Sequence, residues 1–95
     1  MGLELVAAGA AARSLPSIAA ALAAAEIAAV VVMIDGALVA PGPLADSAWR
    51  DVRVRAQEGT LTLQKRGADV AVVVFGNADA ALRDLQARVV AALRL

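Results

Sequence analysis

The sequence predicts an α+β domain: an antiparallel sheet of about five strands with an N-terminal and a C-terminal helix. Three observations carry this. Val52–Ala56 and Thr60–Gln64 alternate apolar and polar residues across a two-residue turn signal, Glu58-Gly59, which reads as a hairpin with one wet face. Two β-branched runs, Ile27–Ile34 and Val70–Phe75, are apolar at consecutive positions, as expected of strands in the middle of a sheet covered on both faces. Leu82, Leu85, Val89 and Leu93 recur at spacings of three and four, which draws one apolar stripe along a helix.

Taken in order, Leu3–Val6 fits either a short strand or the start of a helix, and Ala7–Ala12 has no distinguishing pattern. Arg13-Ser14-Leu15-Pro16-Ser17 is a helix entry. The serine caps, and proline is tolerated in the first turn because the amide it lacks would be free there. Ile18, Leu22 and the alanines extend this helix to about Glu26. Ile27–Ile34 follows as a strand, Asp35-Gly36 as a tight turn, and Ala37–Ala40 as a short return strand. Pro41-Gly42-Pro43 ends that strand, because proline donates nothing to a ladder. Leu44–Arg50 is a connector or a single helical turn. Lys65–Asp69 is a second polar turn, and Asn77 or Asp79 caps the last helix, in which Asp84 and Arg88 are spaced to pair. Ile27–Ile34 and Val70–Phe75 are expected at the centre of the sheet.

The 95 residues make one domain, 1–95. Nine basic and nine acidic residues cancel, so net charge draws the chain toward neither nucleic acid nor a membrane surface. Cysteine and histidine are absent, which excludes thiol chemistry, cysteine-based metal sites and Ser-His or Cys-His pairs. No cofactor or metal is expected, and a cytoplasmic location is. The apolar run Ile18–Ile34 is interrupted by Glu26 and closed by Asp35, so it reads as helix then strand rather than a membrane span. With one Trp and one Phe, the core is thin for its size, which favours self-association.

Val52–Leu93 resembles the last three strands and C-terminal helix of the Roadblock/LC7 family. Gly59–Val74 is especially like the short Ragulator-type members, and the MglB-like members share the pattern. Leu15–Ala40 is similar to that family's first helix and first hairpin. The resemblance implies a profilin-like sheet with its first and last strands in the middle. It also implies a non-enzymatic interaction module, a homodimer that scaffolds or regulates a Ras-like small GTPase. The chain departs from the family between Pro41 and Arg50, which is too short for the usual long middle helix. Either one sheet face is left bare, or Leu3–Ala25 covers it. A second, looser resemblance is to a structural subunit of a DsrE/TusB-like sulfur-relay complex. It requires a helix from Gly59 to Gly67, and any sulfur-carrying role would require a cysteine.

The candidate partner surface is Trp49, Arg53, Arg55, Thr60 and Thr62. Arg50, Arg53 and Arg55, with Lys65 and Arg66, form either a basic patch for an acidic partner or a solvated face that charge protects from edge pairing. Trp49 is either a partner anchor or a packing residue. Asp35-Gly36 is accounted for by turn chemistry. Gly76-Asn77 before a helix is a weak anion signal, without a glycine-rich loop or lysine.

Overall fold

The computed structural model describes residues 3–94. It is an α+β domain: β1 (Leu3–Ala7), a 3-10 turn (Ala10–Ala12), α1 (Leu15–Ala24), β2 (Ala29–Ile34), β3 (Ala37–Leu38), β4 (Asp51–Ala56), β5 (Gly59–Arg66), β6 (Asp69–Val74) and α2 (Ala80–Leu93). The six strands form one antiparallel sheet in the order β1-β6-β5-β4-β2-β3.

The caps are the ones the residue types dictate. Ser14 Oγ accepts from the Ser17 amide at 3.1 Å, with Pro16 in the first turn. Asp79 Oδ1 accepts from the Leu82 amide at 2.9 Å. Each removes a free donor from a helix start. Helix α1 stops at Ala24, short of Glu26, whose φ of 60° is left-handed. Asp35 and Gly36 both have positive φ, 49° and 83°, as a type I′ hairpin turn requires. At the β4–β5 turn, Gly59 has a φ of 147°, and a Cβ there would lie 3.0 Å from Leu82 Cδ1. Glycine therefore permits both the turn and the close seating of α2.

Both helices lie on one side of the sheet. Leu15, Ile18 and Leu22 of α1 and Leu85, Val89 and Leu93 of α2 share a single core with Val52, Val54, Leu61, Leu63, Val70, Val72 and Val74. Gln86 is buried within this core. Its Nε2 donates to the Val72 carbonyl at 2.8 Å and to the Leu3 carbonyl at 3.2 Å, so α2 clamps β1 to β6. Arg13 Nε donates to the Leu93 carbonyl at 2.8 Å, where the end of α2 leaves acceptors open.

Of the two readings open for Leu3–Val6 the structure takes the strand, which brings the sheet of about five to six. Other expectations are corrected. The middle strands are β5 and β4; β2 and β6 each lie one place from an edge. The profilin-like order, with first and last strands central, is therefore not the order seen. The physical reason is that β1 takes the position beside β6, while β2 pairs with β4. The two apolar runs are not covered by layers on both faces either. Ala71 and Val73 are shielded from water within the sheet's second face, whereas Val30 is 59% exposed. Strand β6 ends at Val74, leaving Phe75 64% exposed. Residues 44–50 contain no helical turn. No helix among the described residues is long and apolar enough to cross a membrane.

Candidate functional site

No helix among the described residues covers the face of the sheet opposite α1 and α2, although Thr62, Ala71 and Val73 on that face are themselves buried. In a strand, alternate side chains point to opposite faces, and with Val52 and Val54 turned inward, Arg53 and Arg55 turn outward. The register places Arg53 opposite Thr62 and Arg55 opposite Thr60. Four of the five candidate residues therefore meet at one spot. With Phe75 they line a shallow depression of about 340 Å³.

The two halves of this face differ electrically. At the Gln64–Arg66 end of β5, Arg66 pairs with Glu4 and donates to Gln64 Oε1 at 3.0 Å, and Gln64 donates to Asp51 Oδ2 at 3.3 Å. Those charges are mutually occupied. At the depression, Arg53 Nη1 has Met33 Sδ at 3.4 Å, and neither Arg53 nor Arg55 has an acidic partner within ion-pairing distance among the described residues. A neutral chain thus carries a local positive spot beside an exposed aromatic ring. Guanidinium forks suit carboxylate oxygens, and the ring supplies apolar contact area. Thr62 is buried and Thr60 exposed, so only Thr60 offers a freely accessible hydroxyl.

Trp49 is not on this surface. It is 2% exposed on the helix side, its Nε1 donates to the Arg13 carbonyl at 3.0 Å, and Lys65 Nζ lies 4.4 Å over its ring. The packing alternative describes it: a lone indole fills a thin core, and its N–H finds a partner. Of the five basic residues read as a patch, only Arg53 and Arg55 converge here. Lys65 faces the helix side with Trp49, and Arg66 is held by Glu4. The sequence pattern puts Phe75 at the end of a buried strand, whereas the ring is exposed. The signal that places it outside is its position just before the Gly76 break.

Asp35 has a second role beside its turn. Its Oδ1 accepts from the amides of Arg50 and Asp51, both at 2.8 Å. Those two bonds hold its carboxyl below the ordinary value, with Arg50 and Lys65 adding smaller attraction. The turn residue thereby pins the first residue of β4, the strand that presents both arginines. The contacts of Gln86 and Arg13 are not visible in the sequence; for Gln86, a polar residue that interrupts an apolar stripe does not announce a buried clamp. Among the described residues, no cluster of His, Cys, Asp or Glu is arranged to hold a metal ion.

Neither a protein-family model, nor a curated protein, nor a solved structure matches this chain.

Proposed function

We propose that this protein is a non-enzymatic interaction module that works as a dimer and reads an acidic protein partner through its bare sheet face. The observation that supports this best is the pair Arg53 and Arg55, unpaired with acid and set beside exposed Phe75 on a surface no helix covers. Like charges disfavour a symmetric dimer through the same spot, because two copies would bring their arginines together. The spot therefore suits a different molecule, one carrying carboxylates and an apolar side chain.

The resemblance adds a specific partner class, a Ras-like small GTPase. The α+β architecture and the alternating β4 and β5 agree with it, while the strand order does not follow the family arrangement. The sulfur-relay alternative loses the element it needed, since Gly59–Arg66 is strand β5.

The test is affinity capture from the native host's lysate with the wild-type protein and the Arg53→Glu/Arg55→Glu double variant. Each is run with a GTP analogue and with GDP. A protein captured by wild type and lost from the variant supports the reading, and dependence on nucleotide supports the GTPase. Identical capture by both chains contradicts the reading.

A further inference from the structure

Strand β1 is an edge whose backbone faces outward at two residues, and two observations fix which two. Gln86 Nε2 reaches both the Leu3 and Val72 carbonyls. One nitrogen can do so only if both carbonyls open into the gap between β1 and β6. Independently, the Lys65 amide donates to the Arg50 carbonyl, so Lys65 and, by alternation, Leu63 turn toward β4. Thr62 and Gln64 then turn toward β6, and their partners Val73 and Ala71 turn toward β5. Val72 and Val74 are left turned toward β1, opposite Leu5 and Leu3. The N–H and C=O groups of Glu4 and Val6 therefore point away from the sheet.

The two edges are not managed alike. The far edge is blunted: β3 has two residues, Pro41-Gly42-Pro43 follows, and β2 carries an irregularity between Val31 and Met33. Strand β1 has no proline, no lysine and a continuous register with β6. Its one charge, Glu4, is already paired with Arg66, and Leu3, Leu5 and Val6 are 43%, 41% and 48% exposed. An edge with those features is a template for another strand.

We propose that the occupant is β1 of a second copy, paired antiparallel about a two-fold axis at Leu5. This places the dimer of the proposed function and does not depend on the partner at the bare face. The register fits without adjustment. Glu4 meets Val6 of the second copy and the reverse, so two donors and two acceptors from each chain close four hydrogen bonds. Leu5 faces its own counterpart on the helix side, at the closer, non-hydrogen-bonded spacing of about 4.5 Å between Cα atoms. The two Glu4 residues fall diagonally, each beside its own Arg66, whereas parallel in-register pairing would stack them. The five-residue edge is small against the roughly 1,200–2,000 Å² of a stable interface, so association is concentration-dependent.

Because the chain has no cysteine, Leu5→Cys tests the axis directly. A Cα separation of about 4.4–6.8 Å allows a disulfide. Under mild oxidation Leu5→Cys should cross-link at least tenfold faster than Asp84→Cys, an exposed site on α2 that reports random collision. In sedimentation from about 10 µM to 1 mM, a range matched to so small an interface, wild type should approach twice the monomer mass at the upper end. Val6→Pro, which deletes an edge donor, should shift the midpoint at least tenfold. A wild-type protein that stays monomeric overturns this pairing and the dimer together. A wild-type dimer with slow Leu5→Cys cross-linking and an unshifted Val6→Pro midpoint overturns this pairing alone.

Discussion

Replacing Gly59 by alanine should be among the costlier single-methyl changes available in this chain. The residue sits at φ 147°, where an L side chain is strained, at a cost of about 1–3 kcal/mol. The new Cβ would also lie 3.0 Å and 3.1 Å from the two terminal carbons of Leu82. Leu82 is 9% exposed and packed in the stripe of α2, so giving way by a few tenths of an ångström should cost about 1 kcal/mol more. The sum is about 2–4 kcal/mol, against a total stability of about 5–14 kcal/mol for a chain of this length. Gly67→Ala is the internal control. Its φ of 62° carries the left-handed penalty, but nothing lies within 4 Å of the added carbon, so about 1–2 kcal/mol is expected. Urea unfolding followed by the fluorescence of Trp49, the sole tryptophan, measures both. With a slope of about 1 kcal/mol/M, Gly59→Ala should lower the midpoint by about 2–4 M and Gly67→Ala by about half that. In a Leu82→Ala background the Gly59→Ala cost should fall by about 1 kcal/mol. Equal costs for the two glycines, with no relief on trimming Leu82, would rule out a clash between the added Cβ and Leu82.

Other outcomes follow from the same contacts. The Asp35 carboxyl is held below its ordinary value of 3.8 by two backbone donors. Its contribution is therefore fully present above that value and lost as pH falls through the lower folded value. Thermal unfolding between pH 5 and 2, about the span in which carboxylates titrate, should show a flatter pH dependence for Asp35→Asn, which keeps the turn conformation. Gln86→Leu removes the clamp on β1, so amide exchange at Leu5 and Val74 should accelerate more than at Val54 in the sheet centre. Trp49→Phe gives up the bond to the Arg13 carbonyl and should cost about 1–2 kcal/mol in urea unfolding followed by circular dichroism, since the variant has no tryptophan to report. Arg53→Glu/Arg55→Glu should stay within about 0.5 kcal/mol of wild type, because both side chains are exposed and unpaired with acid.

What was legible in the residues is what is local. The Asp35-Gly36 turn, the Ser14 cap, a cap at Asn77 or Asp79, the β4–β5 hairpin and the α2 stripe each rest on neighbours within a few positions. The neighbour of a strand is a long-range choice that alternation does not encode. Ile27–Ile34 and Val70–Phe75 are both apolar, and nothing in either run says that β6 takes Leu3–Ala7 while β2 takes β4. Five residues of β1 sit at the edge, where a strand needs little pattern, so Leu3–Val6 read ambiguously. The bare face was readable as the polar half of Val52–Gln64, and its four central residues converge as alternation requires. Trp49 misled because an indole serves a core and an interface equally well. Phe75 was hidden because the strand ends one residue before it.

The claim that the bare sheet face is where this protein meets its partner is tested most directly by an arginine-reactive footprint read by mass spectrometry. Purified protein and protein incubated with the native host's lysate are treated with phenylglyoxal and compared. Arg53 and Arg55 should be modified fast in the purified protein. In lysate those two should be protected, with Arg83 on the helix side unchanged. Equal reactivity of Arg53 and Arg55 in both samples, or protection of Arg83 instead, would contradict a partner at this face.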